Sequence, residues 1–262
     1  MKKSILFILP VLLAASLACA LVSNLPMLGD AESGQPADVL FEDDFSDPSS
    51  GWDRYSDADG STDYDNGAYR IRVHKTQYTY WANPGQELLP GDVRVEVDAT
   101  KAGGPDNNDF GVICRYREQE NAADFYQFVV TSDGYAGIVI VMASKQTVIS
   151  QDGLLQPYDV IRQGGATNHI TAECIGSTLS LYVNGTLVES VTDSTLTSGD
   201  VGLIAGSYDE GGVDILFDNF VVTRPYNSLP LLLEEGKWDA ALRGPETPCI
   251  ERLLLENDRL RL

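Results

Sequence analysis

Apolar and polar residues alternate with period two through most of the middle of this chain. Tyr69-Arg-Ile-Arg-Val73 and Val93-Arg-Val-Glu-Val-Asp98 put every second side chain on one face. That is the pattern of a strand with one buried side. The same reading covers Phe110–Arg117, Tyr126–Val130, Tyr135–Val141, His169–Cys174, Leu179–Val183, Leu187–Val191, Val201–Ala205 and Val213–Val222. Asp133-Gly134 and Asn184-Gly185 separate neighbouring runs as tight hairpin turns do. About a dozen short strands with no helical periodicity predict an all-β domain over 38–224, a two-sheet antiparallel sandwich.

The ends differ from the middle. Lys2 and Lys3 precede an apolar run from Ile5 to Ala18, too short to span a bilayer comfortably and closed by small residues. Residues 1–19 therefore predict an export signal. Two processing readings stay open. Ser16-Leu17-Ala18-Cys19 is similar to a lipoprotein lipobox, which would leave Cys19 lipidated and anchor the protein to a membrane. Ala18-Cys19-Ala20 also fits an ordinary signal-peptidase site, which would release the protein. Residues 20–37 read as a tether. Pro225 and Pro230 punctuate a tail over 225–262, in which Ile250–Leu262 reads as a short helix with a leucine face that could receive a protein partner.

Charge narrows the partners. The 262 residues carry a formal charge of −21, which argues against nucleic acid and against adsorption to anionic lipid through a basic patch. Export implies an oxidising compartment. Val112 and Cys114 share one strand face, and Ile170, Ala172 and Cys174 share another, so both cysteines point inward. They could be bridged or remain two buried thiols. Cys249 is left without an evident partner.

The order of elements near the end is more specific. Leu179-Ser-Leu-Tyr-Val-Asn-Gly185, Asp193, Gly199-Asp-Val-Gly-Leu203 and Phe217-Asp-Asn-Phe-Val-Val222 follow one another, after an opening Phe41-Glu-Asp-Asp-Phe-Ser-Asp-Pro-Ser-Ser-Gly-Trp52. This series resembles the concanavalin A-like (laminin-G, lectin and glucanase) jelly rolls. The resemblance implies a jelly-roll sandwich and, as most expected function, a non-catalytic carbohydrate-binding or surface-recognition module at the cell surface. Two alternatives remain. Asn108-Asp-Phe-Gly-Val-Ile-Cys-Arg115 looks like the 3-keto-disaccharide hydrolase domain, although Asp109-Phe110 stands where that pattern has a small residue before Gly111. A structural or adhesion protein is the other. The glucanase mechanism of family sixteen, with Glu-x-Asp-x-x-Glu on one strand, is broken here: Glu96-Val-Asp98-Ala-Thr-Lys101 ends in Lys. His74 and His169 belong to no recognisable catalytic set.

Candidate ligand contacts follow from the non-core phase. Strict alternation turns Arg115 and Tyr182 outward. Trp81 offers a stacking face and Gln127 an amide for hydroxyl groups. Asp43 and Asp218 each fall in phase with flanking apolar residues on first and last strands, which commonly pair in this fold. Related jelly rolls often hold a structural calcium there, so these two carboxylates are the candidate metal ligands. The loop Asp57-Ala-Asp59-Gly-Ser-Thr-Asp63 lacks the bidentate Glu of an EF-hand and reads as a flexible acidic loop.

Overall fold

The computed structural model describes residues 38–225 except 86, 87, 89 and 121. The export signal, Cys19, the tether, Cys249 and the tail helix lie outside the described residues. No helix among the described residues is long and apolar enough to cross a membrane.

Two antiparallel sheets stack into a sandwich. The nine-stranded sheet runs β14 (Thr186–Thr192), β13 (Thr178–Val183), β12 (Asn168–Ile175), β6 (Val93–Gly103), β16 (Val213–Thr223), β4 (Tyr69–Val73), β3 (Gly60–Tyr64), β2 (Tyr55–Ser56). In it β1 (Val39–Asp43) pairs with the C-terminal half of β16, so first and last strands are neighbours. The seven-stranded sheet runs β10 (Lys145–Val148), β9 (Tyr135–Met142), β8 (Ala122–Val130), β7 (Asn108–Gln119), β15 (Asp200–Ser207), β5 (Tyr78–Ala82), with β11 (Gln156–Pro157) also on β9.

The alternation read in the sequence builds the core between these layers. Val93, Val95, Val97 and Ala99 of β6 face Phe110, Val112 and Cys114 of β7, all essentially inaccessible. Cys114 and Cys174 are joined by a disulfide, which ties β7 of one sheet to β12 of the other. At one end Trp52 packs edge-to-face with Phe45 and Phe220 and donates its indole N–H to Asp43 at 2.9 Å. The acidic stretch 57–63 is not a loose loop. Asp57 accepts the amides of Asp59 and Gly60 and the Tyr80 hydroxyl, closing a β2–β3 hairpin. The Tyr80 bond, reinforced by those amides, holds its carboxyl down at about 2.

Candidate functional site

A second apolar cluster lies on the outer face of the seven-stranded sheet: Ile113, Phe125, Val129, Val139, Val141 and Ile204. An outer sheet face is ordinarily polar, so its burial needs a cause. The cause is curvature. On a flat sheet β10 and β5 would be five strand spacings apart, about 24 Å. Yet Gln146 of β10 donates its side-chain amide to the Thr79 hydroxyl of β5 at 3.3 Å. Likewise Trp81 of β5 stacks on Phe125 of β8 at 5.6 Å between centroids, across two intervening strands. The sheet is therefore rolled into a trough with this face inside. Gly111 on β7 and Gly202 and Gly206 on β15 leave the middle of that face without side chains.

The trough narrows to a groove of about 280 Å³. Its floor is Ala123, Phe125, Gln127 and Val141; its walls are Gln77, Tyr78, Thr79 and Trp81 on one side and Ser144 and Gln146 on the other. Trp81 remains 36% exposed at the mouth. Tyr116 completes an aromatic trio, 6.4 Å from Trp81 and 5.8 Å from Phe125. Burial pushes its hydroxyl above the ordinary tyrosine value. Gln127 lies opposite Ile113 on one side and Val139 on the other. It is wholly buried, and among the described residues neither its Oε1 nor its Nε2 has a hydrogen-bond partner.

Of the four ligand contacts predicted from sequence, Trp81 and Gln127 line this groove and the other two do not. Arg115 is 1% exposed, contrary to its outward phase. A β-bulge after Cys114, with Arg115 at φ 56°, breaks the alternation. The guanidinium turns into the end of the sandwich and donates to the carbonyls of Leu196 at 2.6 Å and Gly176 at 2.7 Å. Tyr182 does face outward, but from the nine-stranded sheet, where its hydroxyl donates to Glu173 and Arg94 lies over its ring. The sandwich separates it from the groove. Tyr116 and Phe125 were not singled out by sequence; only the bulge puts Tyr116 beside Trp81.

The two candidate calcium ligands also part. Asp43 stands opposite Phe220 and faces inward, whereas Asp218 stands opposite Asp98 and faces outward. A bulge between them, with Asn219 at φ 53°, reverses the phase. Asp43 accepts from the Phe45 amide, the Ser50 hydroxyl and the Trp52 indole, which satisfies its charge locally. A hollow of about 360 Å³ at this edge is lined by Glu42, Asp43, Asp44 and Asn219. Asp44 is engaged there too, by the Ser46 amide. Among the described residues no group of three or more His, Cys, Asp or Glu side chains is placed to hold a metal ion.

The two carboxylates of the broken glucanase pattern form a solvated strand face. Glu96 and Asp98 lie on β6, on the outer side of the sheet opposite the groove. Arg94 bridges Glu96 and Glu173, and His169 Nδ1 meets Asp98 at 2.8 Å. Asn108, at the head of the keto-disaccharide-like stretch, is a buried pin that accepts the Ser132 amide and donates to the Pro105 carbonyl.

No family model matches the chain, and no curated protein matches it in sequence. Solved structures match it in three dimensions. A Bacillus subtilis protein of unknown function with a galectin-like fold has a TM-score of 0.52 at 11% identity, covering 71% of this chain and 96% of that one. A Bacillus licheniformis beta-glucanase has a TM-score of 0.51 at 11% identity, covering 73% and 100%. A native glycosidic hydrolase has a TM-score of 0.51 at 15% identity, covering 71% and 95%. At such identities the likeness is one of fold. Residues 38–225 form the concanavalin A-like jelly roll that the order of their strands implied.

Proposed function

We propose that this protein is a carbohydrate-binding module without catalytic activity, exported and held at the cell surface through Cys19, that seats its ligand in the trough of the seven-stranded sheet. The observation that carries the reading is Gln127, a buried amide with both ends unpartnered beneath an exposed tryptophan. Leaving such a group unbonded costs about 1–3 kcal/mol, which a polar ligand would recover. Sugars require this combination: an aromatic surface for the apolar ring face and a directed amide for the hydroxyls. The matched beta-glucanase and glycosidic hydrolase act on sugars by name, which supports a saccharide as the ligand class. The groove lining contains no carboxylate, and glycoside hydrolysis ordinarily needs two. That favours binding over the hydrolase alternative.

The test is binding of the full chain to a glycan array, followed by calorimetric titration of the best ligand. Trp81→Ala should weaken binding at least ~10-fold. Its fold should survive, because Trp81 stands at the rim of an edge strand. Undiminished binding by Trp81→Ala, or cleavage of the bound glycan by the parent protein, would overturn the proposal.

A further inference from the structure

The groove is neutral in an otherwise strongly acidic molecule. Its ten lining residues include five uncharged amides and hydroxyls beside the floor glutamine, and no Asp, Glu, Lys or Arg. One acidic group, Asp109, lies just behind the groove wall, its carboxylate against Gly206 and beside Thr79, and the other nearby charges are paired or directed elsewhere. Lys75, over the Tyr78 ring, is paired with Asp59. Asp124 accepts the Ala143 amide and the Gln119 side chain. Lys145 lies on the opposite side of β10 from Gln146, because Gln146 stands opposite the floor residue Val141. Among the described residues no cation is therefore available to neutralise a carboxylate or sulfate in the groove. The chain's charge of −21 would also repel such a ligand.

The floor supplies a second restriction. An amide presents donors on Nε2 and an acceptor on Oε1, side by side in one plane. A hydroxyl can both donate and accept. Two adjacent hydroxyls can thus satisfy both ends of Gln127 at once, one accepting from Nε2–H and the other donating to Oε1. A single hydroxyl, or an ether oxygen, leaves one end of a buried amide unpaired. The volume of about 280 Å³ lies just under the roughly 300–1,000 Å³ of ordinary small-molecule sites, which suits one ring better than a chain laid along the floor.

Resting on the carbohydrate reading above, we infer that the groove takes a neutral sugar and reads it through a vicinal pair of hydroxyls seated on the Gln127 amide. The specificity is for uncharged glycans over sialylated, sulfated or uronic-acid ones. Gln127 is the residue that imposes the hydroxyl requirement, while Trp81 supplies surface.

The experiment uses the full chain against matched glycan sets, neutral, sialylated, sulfated and uronic, with each neutral hit retested after periodate oxidation, which cleaves vicinal diols. Neutral glycans should bind, with affinity changing less than about 2-fold between low and high salt, as expected where no charge pair is formed. Periodate treatment should weaken binding at least ~10-fold, and so should Gln127→Leu or Gln127→Met, each without loss of thermal stability. Preference for an anionic set, with binding still lost in Trp81→Ala, would overturn this inference and leave the carbohydrate reading standing. Periodate-insensitive binding, or full binding by a folded Gln127→Leu or Gln127→Met protein, would overturn the vicinal-diol step. Absence of binding to every set would overturn both the inference and the reading on which it rests.

Discussion

Asp109 shows what a single residue contributes on the groove side of this sheet. It stands opposite Gly206, and its carboxylate occupies the space a Cβ at that position would need. It is 5% exposed; burial, only partly offset by a hydrogen bond from its own backbone amide, pushes its carboxyl from the ordinary value of 3.8 up to about 6. The raised value means that the folded state disfavours the ionised form. The associated stability is fully present below about pH 3.8 and is lost as pH rises through about 6. A neutral isostere should therefore help most at high pH. At ~1.4 kcal/mol per pH unit, Asp109→Asn should stabilise the protein by about 3 kcal/mol at pH 8, falling to roughly half that at pH 5. Urea denaturation of both proteins at the two pH values measures this difference directly. An equal gain at both values would mean that the carboxyl titrates near its ordinary value and that its burial is not what costs energy.

At the scale of the element, alternation was legible and its interruptions were not. Strands β4, β6, β8, β12 and β13 are where the period-two pattern put them, and Val112, Cys114, Ile170, Ala172 and Cys174 are buried as their phase required. Short strands at or beside the sheet edges, such as β2, β3 and β10, escaped, because Ser, Asp, Lys and Gln carry no apolar face to betray them. A bulge adds one residue and exchanges the two faces beyond it. Those in β7 and β16 moved Arg115 inward, brought Tyr116 to the groove and parted Asp43 from Asp218. Arg115 gives no sign of φ > 0, and Asn219, although asparagine adopts it more readily than most residues, is too common in strands and loops for its type alone to mark a bulge. Arg115 in turn holds two loops that the strands alone would leave loose: the β12–β13 turn at Gly176 and the segment before β15 at Leu196. Arg115→Met preserves volume but leaves both carbonyls without these donors. With charge-assisted bonds worth about 1.5–3 kcal/mol each, partly offset by removal of the unpaired Nε, the variant should lose about 3 kcal/mol. Chemical denaturation measures that loss. Glycan affinity of the folded fraction should be unchanged, which separates this role from the outward ligand contact that strict alternation suggested.

For the whole molecule, the two sheets have different tasks and a single covalent tie among the described residues. The nine-stranded layer carries the ion-paired outer face, while the seven-stranded layer is rolled so far that its edges meet over Phe125 and Gln127. Such curling could not be read from sequence, because it depends on which strands share a sheet and on side chains from opposite edges meeting. The glycines at 111, 202 and 206 were its only local mark. A rolled sheet keeps its shape only while the other layer backs it, and the Cys114–Cys174 disulfide fixes central strands of both layers to each other. The bridge spans 60 residues in sequence, and closing a loop of that size in the unfolded chain is worth about 4 kcal/mol in the entropic model. For a domain of this size each kcal/mol corresponds to about 2–4 °C, so reduction, or the double variant Cys114→Ser/Cys174→Ser, should lower the melting temperature by about 8–16 °C. Because the tie lies in the core and away from the groove lining, ligand affinity measured well below the transition should stay within about 2-fold of the oxidised protein. A melting temperature unchanged by reductant would show that hydrophobic contact alone holds the layers in register, and a fall in affinity without unfolding would show that the curvature of the trough depends on the bridge.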